Sequence, residues 1–155
     1  RWTKVPIDVH TGSFASSTDS DTWTDFESAK AHCQDDGNDT CGIGFCVNET
    51  DAVVGIDFDD CRDPSSGTID ATVRTALDQM ATYAEVSPSG TGVRAFALGA
   101  LSTESNQADI TDTAHVEVYE FGRYLTVTGH QIGSAGDVTW DDAGIRLVED
   151  MVGDD

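Results

Sequence analysis

The stretch Val53-Val54-Gly55-Ile56-Asp57-Phe58-Asp59-Asp60-Cys61 constrains this chain more than any other. A β-branched run leads straight into three carboxylates, which reads as a buried strand ending at a charged site. Side chains alternate faces along a strand, so Asp57 and Asp59 point the same way with one residue between them. Two carboxylates held side by side repel, and burying them unpaired is costly. A divalent cation resolves the conflict, and Mg²⁺ typically takes one or two carboxylates plus substrate phosphates. The other reading is a strand end carrying surface acids in a very acidic protein. D-x-D alone does not separate the two.

Charge is where composition matters. The chain has 29 acidic against 8 basic residues, a formal net charge of −21, and 22 of the acids are aspartate. Such a load normally argues against a nucleic-acid partner, because affinity for phosphate rests on basic patches. It would also point to disorder, were it not for the regular apolar strands. A salt-saturated cytoplasm accommodates both facts. There, high charge preserves solubility, and its self-repulsion is screened within a few Å at molar salt. The charge therefore excludes no nucleic-acid partner. It points to a cytoplasmic protein of a high-salt cell.

The 155 residues suit one domain with a real core. The chain opens at Arg1 without Met, as a domain excised from a longer protein would. No apolar run approaches the roughly 18–20 residues of a membrane span, so no membrane partner is expected. Cysteines stand at 33, 41, 46 and 61 with no C-x-x-C pair, which weakens a zinc-ribbon reading. They read as reduced thiols, with a Cys33–Cys41 or Cys41–Cys46 bridge as the alternative.

Along the chain, residues 1–7 form a short extended piece, with Lys4 ahead of a proline-fixed turn. Thr11 to Ser20 is a Gly/Ser/Thr-rich loop. Thr24 and Glu27 form a capping box for a helix ending near Asp36-Gly37-Asn38. Gly42 to Val47 reads as a strand, with Val53 to Phe58 as its hairpin partner. Val73, Ala76, Leu77 and Met80 recur at helical spacing, predicting an amphipathic helix over Ile69 to Tyr83. Strands follow at Ala84–Val86 and Val93–Leu98, then a polar, mobile loop over Gly99 to Thr113. Val116–Tyr119 and Tyr124–Val127 read as two strands turning at Phe121-Gly122-Arg123. Thr139 to Asp142 caps a last helix running through Met151. Hairpins with three helices on one face of the sheet predict a mixed α+β, largely antiparallel fold.

Three segments carry chemistry. Asp57 and Asp59 are the first. In the second, Ser87-Pro88-Ser89-Gly90-Thr91-Gly92-Val93-Arg94, glycines and serines at a strand break expose backbone N–H groups. A concave row of them cradles phosphate, and Arg94 would add a fork of donors. An ordinary Gly-rich hairpin turn is the alternative. In the third, His115-Val116-Glu117-Val118-Tyr119, Glu117 sits mid-strand between valines, either on a solvent face or as a third metal ligand.

Taken in order, Trp2–Pro6, Thr22–Phe26, Gly42–Phe45, Val54–Cys61, Glu85–Gly92, Val116–Tyr119 and Gly122–Gly129 resemble the primase-polymerase (prim-pol) domain of the archaeo-eukaryotic primase superfamily. The versions most alike stand at the N-terminus of phage, plasmid and haloarchaeal replication proteins. The resemblance implies an RRM-like catalytic core in the archaeo-eukaryotic primase fold, with helices packed on the sheet. It implies that Asp57, Asp59 and Glu117 bind two divalent ions, Mg²⁺ or Mn²⁺, for template-dependent nucleotidyl transfer. Ser87, Ser89, Gly90, Thr91, Gly92 and Arg94 would contact the incoming nucleoside triphosphate, although the family places histidine where Arg94 stands. Arg123 and His130 are further candidate phosphate contacts, and Lys4 a candidate template contact. The implied partners are nucleoside triphosphates, a single-stranded or primed DNA template, and a helicase domain or subunit. Two other functions remain open. One is an inactive module that binds DNA or a helicase within a replication initiator; the other is a metal-dependent nuclease or phosphatase.

Overall fold

A computed structural model describes residues 4–35, 37 and 42–153. A 3₁₀ turn, Ser20–Thr22, precedes helix α1 (Phe26–Gln34), then strands β1 (Ile43–Val47) and β2 (Val53–Asp59). Helix α2 (Ala71–Gln79) follows. After it come β3 (Ala84–Val86), β4 (Val93–Leu98), β5 (Gln107–Asp109), β6 (His115–Tyr119), β7 (Arg123–Val127) and β8 (Gln131–Ile132). Helix α3 (Asp142–Gly153) closes the described chain.

Six strands form one antiparallel sheet in the order β5-β6-β2-β4-β3-β8, while β1 and β7 pair in a second sheet of two. The fold is mixed α+β with antiparallel sheets, as the sequence predicts, but the pairing differs. β2 is not the hairpin partner of β1. It is the central strand between β4 and β6, and its five middle residues are all buried. A strand this buried must pair its backbone N–H and C=O groups on both edges, which a single hairpin with β1 does not supply. Nor do β6 and β7 form a hairpin; they belong to different sheets. The expected loop over residues 99–113 contains β5, which pairs with β6 and extends the sheet edge.

Helix boundaries shift for local reasons. The N-cap of α1 is Asp25, not Thr24; its carboxylate accepts the Ser28 N–H at 2.8 Å. α1 ends at Gln34, short of the predicted stop, of which Asp36 and Asn38 lie outside the described residues. α2 is capped by Asp70 and stops at Gln79, because Met80 is extended and Thr82 hydrogen-bonds the Phe96 carbonyl instead. Cys33, Cys46 and Cys61 are free thiols, and Cys41, like Trp2 and Thr3, lies outside the described residues.

The core lies on one face of the large sheet. Val54, Ile56, Phe58, Val93, Ala95, Val116 and Val118 pack under Val73 and Ala76 of α2 and Ile145, Val148 and Val152 of α3. Each fully buried aliphatic or aromatic side chain there contributes roughly 1.5–3 kcal/mol. Among the described residues, α2 and α3 cover this face, while α1 lies beside β1 and has no buried residue. The opposite face packs against the small sheet through Phe96, Val47 and Leu125. At Gly55 a Cβ would come within 2.4 Å of Leu125 Cδ1, so glycine lets the two sheets approach. Strand parity puts Asp57, Arg94 and Glu117 on this second face, away from the helices.

Candidate metal and nucleotide site

Cross-strand pairing assembles the site. Glu117 on β6 is the register partner of Asp57 on β2, Asp57 that of Arg94 on β4, and Arg94 that of Glu85 on β3. Four charged side chains thus stand in a row across four neighbouring strands, on the face turned toward the small sheet. Directly opposed residues lie about 4.5–5.5 Å apart at Cβ, so the ladder itself sets the spacing of the carboxylates.

Asp59 lies two residues beyond Asp57, on the same face. Carboxylate oxygens of Asp57, Asp59 and Glu117 all lie within 4.8 Å of one another. Asp57 is 6 % exposed and the other two are half-buried. Burial, then the charges of Asp57 and Glu117, push the Asp59 carboxyl above its ordinary range; His115 and Arg94 oppose this. His115 Nε2 stands 3.4 Å from Asp59 Oδ2. The donors are all carboxylate oxygens in mutual repulsion, which is the set that hard divalent cations such as Mg²⁺ or Mn²⁺ take.

Arg94 is 3 % exposed. Its Nε donates to Asp57 Oδ1 at 3.0 Å and its Nη2 to Oδ2 at 3.3 Å, a side-on bidentate pair. Its Nη1 donates to the Thr126 carbonyl at 2.8 Å and to the Thr126 hydroxyl, tying β4 to β7 of the small sheet. Glu85, fully buried, accepts from the Tyr83 hydroxyl and from the backbone N–H groups of Thr128 and Gly129. At the other end, Tyr119 donates to Glu117 Oε2 at 2.7 Å. Burial and the Glu117 carboxylate push the Tyr119 phenol up to about 12, so it stays a donor. Arg123 donates to the Tyr119 hydroxyl, lies 3.5 Å from Glu117 Oε2, and stacks 4.4 Å from the Tyr119 ring centre.

A cleft of about 560 Å³ opens between the two sheets, lined by Asp57, Arg94, Glu117, Arg123 and Lys4 among others. Three of the chain's 8 basic residues therefore meet at one opening of a strongly acidic protein. Ser89 and His130 line a second, larger cleft that shares Lys4, Tyr124 and Thr126 with the first. Ser87, Gly90, Thr91 and Gly92 line neither cleft and build the turn joining β3 and β4. Ser87 Oγ accepts the Gly92 N–H, and a chain of hydroxyls runs from Ser87 through Ser89 to Thr91. The turn is anchored at the end of β2, where Cys61 and Arg62 donate their N–H groups to the Thr91 carbonyl. Gly92 is required there, since a Cβ would come within 2.7 Å of the Phe58 carbonyl.

Over 139 residues the chain is 34% identical to a DNA primase-polymerase of Nitratiruptor phage NrS-1. This chain is related to a phage primase-polymerase. The match spans 89% of this chain but 19% of that protein, so the chain corresponds to about a fifth of its relative. No family model matches the chain.

Seen beside that primase-polymerase, the carboxylates read from the sequence come together, as do Lys4, Arg94 and Arg123. Arg94, however, faces Asp57 and Thr126 more than open solvent. Sequence reasoning left out His115 and Tyr119, which parity alone could have found, since both share the Glu117 face of β6. Thr126 and Glu85 carry no such local signal; their roles depend on which strands meet.

Proposed function

We propose that this domain carries out template-dependent nucleotidyl transfer, as a DNA primase-polymerase unit of a replication protein. The observation that carries this reading is the convergence of Asp57, Asp59 and Glu117 on one sheet face, in a chain related to a primase-polymerase. The prim-pol fold with its RRM-like core, and a single catalytic domain over the chain, belong to the same proposal. So do a helicase partner and a cytoplasmic, high-salt setting. Among the described residues, no helix is long and apolar enough to cross a membrane.

Asp57, Asp59 and Glu117 would hold the divalent ions, which when bound supply activation of a primer 3′-hydroxyl and neutralisation of the triphosphate and leaving pyrophosphate. The rest of the work falls to the chain. Arg123, clamped by Tyr119 and Glu117, presents a guanidinium to phosphate oxygens at the mouth of the cleft. Lys4, at the junction of the two clefts, offers a mobile point charge to template or triphosphate. Ser89 and His130 edge the second cleft, where the β3–β4 turn would receive the nucleotide. Tyr119 holds the Glu117 carboxylate in one orientation and keeps it a ligand.

The second reading, a nucleic-acid- or helicase-binding module without turnover, is favoured by one observation: both Asp57 oxygens already accept from Arg94. Calorimetric titration of Mn²⁺ with a nucleoside triphosphate, in about 1 M KCl to screen the charge, separates the two when followed by primer extension. Metal-dependent binding and extension, both lost in Asp57→Asn, support the polymerase. Binding without extension supports the module. No binding in either protein sinks the polymerase reading, and strand hydrolysis without triphosphate would point to a nuclease.

A further inference from the structure

We propose that Arg94 is a fixed internal counterion of Asp57 that sets the cation affinity of the carboxylate cluster, and not a ligand for the triphosphate. The inference rests on the carboxylate cluster being a metal site. It assigns Arg94 a role different from the one its place in the β3–β4 segment suggests.

A guanidinium has five N–H groups, and four hydrogen bonds run from Arg94: two to Asp57, two to Thr126. The side chain is 4 % exposed. A phosphate ligand needs a free, forward-facing fork, and here the fork is closed over a carboxylate already in the protein. Its second pair of bonds, to the backbone and hydroxyl of β7, prevents a simple rotation toward the cleft. Releasing Thr126 would leave a half-buried carbonyl without this partner.

Asp57 is the most buried of the three carboxylates, and the neighbouring charges of Asp59 and Glu117 make an uncompensated anion there costly. Arg94 supplies the missing positive charge permanently, so the cluster is stable without a cation. That same charge stands against any divalent ion approaching Asp57. Arg94 thus trades cation affinity for order in the cation-free state. Glu85 is its register partner and pins Thr128 and Gly129, so it keeps Thr126 within reach of Arg94 and acts as a positioning residue.

The test is Mn²⁺ titration alone, without nucleotide, at about pH 8 on wild type, Arg94→Gln and Arg94→Lys, with circular dichroism as the check on folding. Removing the charge should tighten Mn²⁺ binding on the order of ten-fold, less than relief of the bare Coulomb repulsion would give, because the freed carboxylate is also less fixed. Arg94→Lys, which keeps the charge, should bind Mn²⁺ within a few-fold of wild type. If Arg94→Gln fails to fold, Arg94→Met, which keeps an unbranched side chain without charge and is a poor ligand for a hard cation, gives the same readout. Unchanged or weaker Mn²⁺ binding in the uncharged variant overturns the proposal. So does a selective loss of triphosphate binding in a second titration, of a nucleoside triphosphate at saturating Mn²⁺, which would make Arg94 a phosphate ligand after all. A wild type that binds no Mn²⁺ would instead overturn the metal site itself, and this proposal with it.

Discussion

Asp57 and Glu117 face each other across the β2–β6 ladder as register partners, so backbone hydrogen bonding alone brings two carboxylates from distant parts of the chain side by side. Adding Asp59 two residues along β2 completes a three-carboxylate cluster. Asp57→Asn removes one ligand charge and half of the Arg94 pair. It should abolish metal-dependent nucleotide binding while costing about 1–3 kcal/mol of stability, the usual loss for weakening a buried hydrogen-bonded pair. Calorimetry and denaturant unfolding on the same sample check both halves; an unfolded variant would make Asp57 structural.

Asp59 should make cation binding sensitive to mild acid. Its folded pKa lies above the ordinary 3.8, chiefly through burial and secondarily through Asp57. A raised carboxylate contributes stability that is present below its ordinary pKa and is lost as pH rises through the folded value. In the absence of metal, Asp59 therefore works against stability at neutral pH. A cation must displace a proton held more tightly than usual, so Mn²⁺ affinity should fall on acidification sooner than an unperturbed aspartate predicts. Asp59→Asn should bind more weakly but lose this part of the pH dependence. A variant whose affinity still follows pH as the wild type does would exclude Asp59 as the titrating ligand.

Glu149 governs a different acid response. Burial alone would raise its pKa, but hydrogen bonds from the Ser102 N–H and hydroxyl and the Thr103 N–H outweigh it and hold the carboxyl below 4.5. A depressed carboxylate contributes stability above its ordinary pKa that is lost as pH falls through the folded value. Glu149→Gln should cost about 1–3 kcal/mol near neutrality, since its amide cannot accept from all three donors. The gap between the two proteins should narrow as pH falls below the ordinary glutamate value of 4.5. Urea midpoints across pH measure it, and a constant gap would rule this origin out.

Gly55 should tolerate no side chain. A Cβ would meet Leu125 Cδ1 at 2.4 Å, forcing the small sheet away from the large one. Gly55→Ala should cost about 1–3 kcal/mol, the usual penalty for overpacking a filled interior. It should also loosen the Arg94–Thr126 link, because Leu125 is the neighbour of Thr126. An unchanged melting temperature would mean that Leu125 repacks freely.

Salt should stabilise the fold. With a net charge of −21, repulsion among carboxylates opposes compaction. The Debye length falls from about 10 Å at 0.1 M to about 3 Å at 1 M, so the melting temperature should climb with KCl over that range. A flat profile in scanning calorimetry would refute the high-salt reading.

Local chemistry carried much of this protein. The period-two alternation of β2, β4 and β6 separated the apolar face from the face bearing Asp57, Asp59 and Glu117. The 3.6-residue spacing of Val73 and Ala76 marked α2, and the ordered motifs pointed to the primase-polymerase relationship later seen in the phage relative. Tertiary structure alone decided that β1 leaves β2 for β7, that β5 extends the sheet edge, and that Arg94 closes on Asp57 and Thr126. The reason is physical. Side-chain periodicity is written into neighbouring residues. Strand partnership and register are long-range choices, made when β2, buried on both faces, takes a neighbour on each edge and Gly55 admits Leu125 between the sheets.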